Sequence, residues 1–285
     1  MSVALPAVSR PDESLTPDAA VVHAQMRGVT RVYAGIGAQS GVHALAATDL
    51  TLRRGEFYSV IGPSGCGKST LLDVLAGLSR PTAGSIAFEG KPVDGNVPDG
   101  VGVVFQEDAS FSWLTVSDNI AFGLRRTGTD PAEIARRLDY ALRLMGLVDF
   151  AKSYPAQLSG GMRQRVCIAR TLVMQPRMIL LDEPFGALDA QTRLIMGDEL
   201  LKVWRETGAT VMLITHALDE AAMLSDRIGI MSARPGHIIK EVTTHWPRER
   251  DSRVAANPDF GRITADLWSV LREESLKAMG QGAVR

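Results

Sequence analysis

Apolar residues recur along this chain in two rhythms, and their alternation predicts an α/β protein. From Met26 the run Met-Arg-Gly-Val-Thr-Arg-Val-Tyr alternates apolar and polar positions as a half-buried strand does. Residues 44–52 predict a second strand, which turns at Arg54-Gly55 into a third, an apolar run over residues 57–61. The first two read as a small antiparallel sheet. The period then changes, because Leu71, Leu72, Val74, Leu75 and Leu78 fall at helical spacing. After a turn at Pro81-Thr82-Ala83-Gly84, residues 85–88 predict a short strand, 91–100 a Pro/Gly/Asp loop, and 101–105 a strand that ends at Gln106. Residues 116–174 read almost wholly helical, with helices over 116–124 and 131–145 and another opening at Ser159 or Gly160. Strands return at 178–181 and 210–215. A helix over 217–224 and a hairpin of 228–231 with 237–242 around Arg234-Pro235-Gly236 follow. The tail is polar from Trp246 to Asp259, and Ile263, Leu267 and Leu271 then place an apolar stripe on a last helix, expected to pack onto the domain.

Composition narrows this picture by exclusion. A chain of 285 residues, 45% hydrophobic, can fill a sizeable core as one large domain or two smaller ones. A formal charge of -1 argues against a general nucleic-acid footprint. The longest apolar runs, 178–181 and 211–214, are strand-sized and fall far short of the roughly 18 residues of a membrane helix. Pro6, Asp12, Glu13 and Asp18 interrupt any secretory pattern, so a cytosolic protein is expected, and residues 1–21 read as a flexible leader. Cys66 and Cys167 have no metal-like spacing and read as structural.

The chemistry concentrates where strands end. Gly62-Pro63-Ser64-Gly65-Cys66-Gly67-Lys68-Ser69-Thr70 fits G-x-x-x-x-G-K-[ST] between a strand and a helix. Its glycines let backbone N–H groups turn onto a phosphate, which the helix N-terminus also attracts. Lys68 adds a mobile charge for the β- and γ-phosphates, and the Ser69 hydroxyl is placed for Mg²⁺. The plain alternative is a Gly-rich turn with a surface lysine, and the strand-to-helix context argues against it. The apolar strand at 178–181 delivers Asp182 and Glu183 at its tip: Asp182 to hold Mg²⁺, Glu183 to act as general base on a water, though a solvated turn before Pro184 would look similar. Gln106 and His216 also end strands, on the edge that gathers ligand contacts in nucleotide-binding sheets. There Gln106 could reach Mg²⁺ or the attacking water, and His216 the γ-phosphate. His23, His43, His237 and His245 read as structural. Ser159, Gly160 and Gly161 open a helix, a second potential anion site that alone would be an ordinary cap. Tyr33 reads either as packing or as a platform for a purine.

The ordered set GPSGCGKS, Gln106, LSGGMRQR, ILLLDEP, Ala187-Leu188-Asp189 and His216 resembles the ATP-binding cassette (ABC) ATPases over about residues 22–242. The resemblance implies a P-loop (RecA-like) nucleotide-binding core with an antiparallel β subdomain, an inserted α-helical subdomain over about 107–165, and a C-terminal extension over 243–285. It implies ATP and Mg²⁺ as cofactors, and a head-to-tail homodimer. In that dimer Ser159, Gly160 and Gly161 meet the γ-phosphate of ATP held by the other subunit, and Asp189 lies at the interface. Met162 replaces the commoner glutamine of the family's motif. Phe105-Gln106, Ser112-Trp113-Leu114-Thr115-Val116 and Ala233-Arg234-Pro235-Gly236 look like importer ATPases of the nitrate/sulfonate/taurine type, although Ser112-Trp113 stands where those commonly have Pro-Trp. Such proteins sit peripherally on the cytoplasmic face of the membrane with a permease and a solute-binding protein. Trp113 reads equally as core or as surface; with Phe111 and Leu114 it would suit docking of a permease helix. The competing readings are an ABC ATPase without a permease, acting on ribosomes or DNA, and a small-molecule kinase or GTPase. The first would bring a second cassette or a long coiled coil, and the second has no need of LSGG or His216.

Overall fold

The computed structural model describes residues 21–35, 41–106 and 109–282, so residues 1–20 of the expected leader lie outside the described residues. Strands β1 (Val22–Tyr33) and β2 (Val42–Arg53) pair antiparallel, and β1 supplies its other edge to a later strand. Next come β3 (Phe57–Ile61), α1 (Lys68–Leu75), β4 (Ala83–Phe88), β5 (Lys91–Pro92) and β6 (Val101–Val104). Helices α2 (Val116–Arg126), α3 (Pro131–Leu144) and α4 (Gly160–Leu172) follow, then β7 (Met178–Asp182), α5 (Ala190–Thr207), β8 (Thr210–Ile214) and α6 (Leu218–Leu224). The chain closes with β9 (Arg227–Met231), β10 (Ile238–Thr243) and α7 (Pro258–Gly282).

Two sheets result. The antiparallel one has the order β2-β1-β4-β5, and the period-2 pattern explains its one-sided burial: Ala24, Met26, Leu50, Leu52, Ile86 and Phe88 face one core. The other has the order β10-β9-β3-β8-β7-β6. Within it β9, β3, β8, β7 and β6 are mutually parallel, and β10 runs antiparallel to β9. Every residue of β3, β7 and β8 is buried, as parallel strands covered on both faces must be, which is why they read as mainly apolar runs rather than alternating ones. His23 ties the sheets together: Nδ1 lies 2.5 Å from Thr210 Oγ1, and burial, with Arg54 nearby, pushes its pKa down, so the imidazole is a neutral structural group. The α/β class with both sheets and a run of helices between β6 and β7 is therefore borne out.

Four stretches differ from the expected pattern. Helix α1 ends at Leu75, and Leu78 lies past it, exposed. The loop after residue 91 begins with the two-residue strand β5, and Val93 is buried. The pattern yielded no element between Asp189 and Thr210, yet α5 fills it with 18 residues, burying Met196, Leu200, Leu201, Val203 and Trp204 before Gly208 stops it at φ 64. The polar tail is also not a loose one. The Arg250 guanidinium is buried, donating to the Leu224 carbonyl and, at 2.7 Å, to Asp226 Oδ1, while Arg248 and Arg250 lie 4.2 and 4.6 Å from the Trp204 ring. A planar guanidinium can stack and hydrogen-bond at once, so an arginine-rich stretch can enter a core that its charge argues against.

Helix α7 closes over Ala221, Ala222, Ile228 and Ile230 with Leu267, which is fully buried. Leu267→Ala should lower stability by about 2–5 kcal/mol, the range for truncating a buried leucine. Urea denaturation of the full chain checks it; a loss within the scatter of surface substitutions would mean that α7 is not packed on the domain.

Candidate nucleotide site

Parallel pairing brings the strand ends to one edge. Val60 of β3 pairs with Ile214 of β8, Ile214 with Asp182 of β7, and Leu181 with Val104 of β6. Neighbouring strands lie about 4.8 Å apart, so the phosphate loop after β3, His216 after β8, Asp182-Glu183 at the end of β7 and Gln106 after β6 share the carboxyl edge of the sheet.

The phosphate loop is fixed by its glycines. Gly67 caps α1 at φ 112, and a Cβ there would sit 2.7 Å from the Ala44 carbonyl; one at Gly62 would sit 2.9 Å from Met231 Cβ. Cys66 is buried beneath the loop, and burial pushes its thiol pKa up, so it is an inert packing residue. Pro63 is buried, while Ser64, Gly65 and Ser69 are exposed. Lys68 is buried, and its ammonium donates to the carbonyls of Gly62 at 2.9 Å and Pro63 at 3.0 Å. The loop thus curls around a cation, with the N-terminus of α1 behind it. That arrangement fits the phosphate chain of ATP.

Beside it stand the two acids. Asp182 is buried, its Oδ1 has no hydrogen-bond partner, and the Ser69 hydroxyl bonds its carboxyl. Burial pushes this carboxyl above the ordinary carboxylate range, against the pull of Ser69, and the neighbouring Glu183 charge adds to the rise. An unpaired, desolvated carboxylate oxygen next to a hydroxyl and a phosphate loop fits Mg²⁺, which binds through one or two carboxylates plus phosphate oxygens. Glu183 adopts φ 45, a left-handed conformation that costs a non-glycine residue about 1 kcal/mol or more. Backbone bonds hold it there, Glu183 N to the Ile214 carbonyl at 2.9 Å and Gly186 N to the Glu183 carbonyl at 3.1 Å. Its Oε2 gathers two other strand-end side chains: Gln106 Nε2 donates to it at 3.2 Å, and His216 Nδ1 lies 3.1 Å away.

The remaining candidates lie elsewhere. Tyr33 ends β1 with its ring half-exposed, its hydroxyl 3.4 Å from Thr70 Oγ1 and the Arg31 guanidinium 4.5 Å from its centroid. Ser159 caps α4 by accepting from Met162 N at 3.3 Å. Because the amide is what bonds, the departure to Met162 leaves the cap intact. Gly160 is exposed, and a Cβ at Gly161 would sit 2.7 Å from Leu188 Cδ2, so this helix start abuts the turn at Ala187–Asp189. Asp189 caps α5, accepting from Gln191 N, Thr192 N and Thr192 Oγ1, and the Thr192 hydroxyl bond holds its carboxyl below the ordinary range. Among the described residues no hydrogen bond joins Ser159, Gly160, Gly161 or Asp189 to the phosphate loop. Trp113 is 71% exposed, stacked on Phe111 at 5.3 Å, with Arg170 over the Phe111 ring.

Sequence reasoning missed one buried acid beside the site. Glu220 accepts from Thr215 Oγ1 at 2.5 Å and faces Arg193, whose Nη2 donates to the Leu188 carbonyl at 3.1 Å. It connects the His216 turn to the Ala187–Asp189 turn. An acid in the first turn of a short helix looks like a solvated cap, and only the sheet topology reveals its burial.

A phosphate loop, a buried aspartate with one oxygen unpartnered and a glutamate held by glutamine and histidine, on one edge of a parallel sheet flanked by an antiparallel one, define a nucleoside triphosphatase of the cassette type. The family profile described as ABC transporter matches residues 45–186. The chain is 50% identical to the taurine import ATP-binding protein TauB of Pelagibacter ubique, over 84% of this chain and 92% of that protein. It is 38% identical to the nitrate import ATP-binding protein NrtD of a Synechocystis strain, over 88% and 96%. Among solved structures it resembles the dimeric post-hydrolysis state of the ATP-binding cassette MJ0796 bound to ADP and Pi. The TM-score is 0.71 at 31% identity, covering 79% of this chain and all of that one. This chain belongs to the ABC transporter ATP-binding family, and it is an ATPase.

Asp182→Asn removes a charge that the folded protein disfavours. Since the carboxyl's pKa is raised in the folded state, wild-type stability falls as pH rises from the unfolded value through the folded one. The variant lacks that loss. In nucleotide-free buffer it should match wild type at the acid end and exceed it above the raised pKa, by about 1–3 kcal/mol. Mg²⁺ with ATP should then stabilise wild type far more than the variant. Urea midpoints across pH, with and without Mg²⁺ and ATP, check both; a pH-independent difference would mean that Asp182 is not desolvated.

Proposed function

We propose that this ATPase drives a membrane importer, as a homodimer working with permease subunits and a separate solute-binding protein at the cytoplasmic face of the membrane. The solute we assign is a small organic or inorganic anion, of the nitrate, sulfonate or taurine kind. The observation that carries this reading is the 50% identity with a taurine import ATP-binding protein over 92% of that relative's length. No helix among the described residues is long and apolar enough to cross a membrane, which agrees with a peripheral subunit. In this reading residues 22–242 form the cassette, about 107–165 its helical insert, and 243–285 an extension.

The site supports a division of labour. Bound ATP with Mg²⁺ supplies the phosphoryl group to be cleaved and neutralises its phosphate charge. Lys68 and the loop from Gly62 to Thr70, with a backbone N–H at every position but Pro63, would bind the phosphates, Tyr33 would stack on the base, and Ser69, Asp182 and Gln106 would hold the cation. Glu183 takes a proton from the attacking water: its carboxylate follows β7 beside the phosphate loop, with Gln106 Nε2 donating to Oε2 at 3.2 Å and His216 Nδ1 3.1 Å away. Gln106 and His216 orient that carboxylate. Ser159, Gly160 and Gly161, exposed or half-buried at the start of α4, meet nucleotide bound to the other subunit, with Asp189 beside them at the interface.

Glu183→Gln should retain ATP binding and lose hydrolysis about a hundred- to ten-thousand-fold, the span for a general base. Lys68→Ala should instead weaken binding itself. Steady-state ATPase and nucleotide-binding assays separate the two, and wild-type turnover in the Glu183 variant would sink the assignment.

Exposed Trp113, stacked on the half-buried Phe111 a few residues after Gln106, suits a short permease helix laid in a groove. Trp113→Ala should lower permease-stimulated hydrolysis several-fold while basal hydrolysis of the isolated subunit stays near wild type. The assay runs with and without reconstituted permease and loaded binding protein, across a panel of anions. Equal losses in both conditions would remove Trp113 from coupling. Stimulation by sugar- or cation-loaded partners alone would remove the anion.

A further inference from the structure

The Ala233-Arg234-Pro235-Gly236 turn, which has no part in the reaction above, lies against the phosphate loop. Arg234 donates from Nε and Nη2 to the Gly65 carbonyl at 3.0 and 2.8 Å. A guanidinium fork on one carbonyl is a charge-assisted contact that fixes direction as well as distance. A trans peptide is planar with its C=O and N–H on opposite sides, so holding the Gly65 carbonyl outward sets the Cys66 N–H inward. There it meets the Pro63 carbonyl at 3.3 Å. Gly65 itself has φ +70, in a region that glycine enters and leaves freely, and the Arg234 fork adds an outside hold to the one that the Cys66–Pro63 bond supplies.

The turn that carries Arg234 is anchored on both sides. Toward the cassette, Gly236 N donates to the Ala44 carbonyl and Ala46 N to the Gly236 carbonyl, each at 3.0 Å. A Cβ on Gly236 would come 2.2 Å from the Cys66 carbonyl, so turn and phosphate loop meet backbone to backbone. Toward the C-terminus, the buried Glu274 of α7 accepts from Ala233 N at 2.8 Å and from Lys277 at 2.5 Å. A cavity of about 380 Å³, lined by Pro235, His237 and Lys277 among others, opens between α7 and the turn, and Glu274 is the polar bridge beside it.

We propose that Arg234 is a positioning residue for nucleotide binding, clamping the Gly65 peptide of the phosphate loop, and that α7 sets this clamp through Glu274. The C-terminal extension thereby controls affinity for nucleotide phosphates. The inference rests on the phosphate loop holding ATP, and Lys68→Ala tests that reading separately.

The test uses the full chain and reads Kd for ADP, KM and kcat for ATP, and Tm. Arg234→Ala should raise Kd and KM about tenfold, the scale of losing a partly exposed charge-assisted hydrogen bond, with kcat at saturating ATP within about twofold of wild type. Arg234→Lys keeps the charge but not the fork and should recover only part of the affinity. Glu274→Ala should shift KM in the same direction by a smaller factor, and the double variant should be no worse than Arg234→Ala alone, because the two residues act in series. An unchanged Kd in Arg234→Ala overturns the clamp. Full rescue by lysine overturns it in favour of simple charge attraction. Multiplying effects in the double variant overturn the link to α7. Should Arg234→Ala not fold, Arg234→Lys and Glu274→Gln carry the same comparison, and wild-type affinity in both would sink the proposal.

Discussion

The parallel ladder of β3, β8, β7 and β6 is the constraint on which the site depends. Strands buried on both faces cannot slip by one residue without moving every side chain against a different layer, so their register is firmly specified. The pairings Val60 with Ile214 and Ile214 with Asp182 therefore decide where Lys68, His216, Asp182 and Glu183 stand relative to one another. The chemistry is delivered from four separate segments, and none of them needs a long loop to reach it. Ser159 at the start of α4 and Trp113 in the turn before α2 are carried by the segment between β6 and β7, outside the ladder itself.

The same edge is where the fold gives up local stability. Asp182 leaves a buried carboxylate oxygen without a partner, Glu183 sits in a left-handed conformation, and Gly67 is pinned where any side chain would strike the Ala44 carbonyl. Burial raises the pKa of Asp182, which sharpens its demand for a cation, while backbone hydrogen bonds with Ile214 and Gly186 hold Glu183 in its conformation. Away from this edge other buried ionic groups are answered: Arg250 by Leu224 and Asp226, and Glu56 by the Arg53 amide and Arg227. An unmet carboxylate oxygen and a strained glutamate side by side at the phosphate loop suit a preorganised site for Mg²⁺ and phosphate.

How much of this could be read from the sequence follows from the range of each interaction. The phosphate loop, the acids after β7 and the helix opening at Gly160 were legible because each is a local signal: a motif, a strand tip, a cap. That the chain is an α/β protein was legible because period-2 and helical stretches differ within a few residues. Helix α5 was not, since its apolar face is interleaved with Arg193, Asp198, Glu199 and Lys202 and nothing local announces it. Glu220, Arg234 and Arg250 were not legible as contacts either. Each meets a partner distant in the chain, such as Arg234 on Gly65, and a charged residue in a polar stretch carries no local mark of burial or of whom it bonds. The burden of long-range recognition in this fold falls on arginines and glutamates, the residues whose sequence pattern most resembles ordinary solvent exposure.

The exposure of the catalytic edge carries a final argument about how hydrolysis is controlled. His216 is 60% exposed and lies on Glu183 in an open site, where water screens its charge. Electrostatic preorganisation gains most once water is excluded, so a surface that closes over this edge would raise hydrolysis far more than any rearrangement inside the chain. On the proposed assembly that surface is the α4 start of a second subunit, with Asp189 beside it. Glu220 gives the closure a path inward: it bonds Thr215, next to His216, and faces Arg193, which holds the Leu188 carbonyl beside Asp189. Contact at the Asp189 turn is thereby tied through three buried or half-buried groups to the histidine on Glu183, the proposed general base. Completing the site and assembling the dimer then become one event, which is the coupling a transport ATPase needs in order not to spend ATP alone.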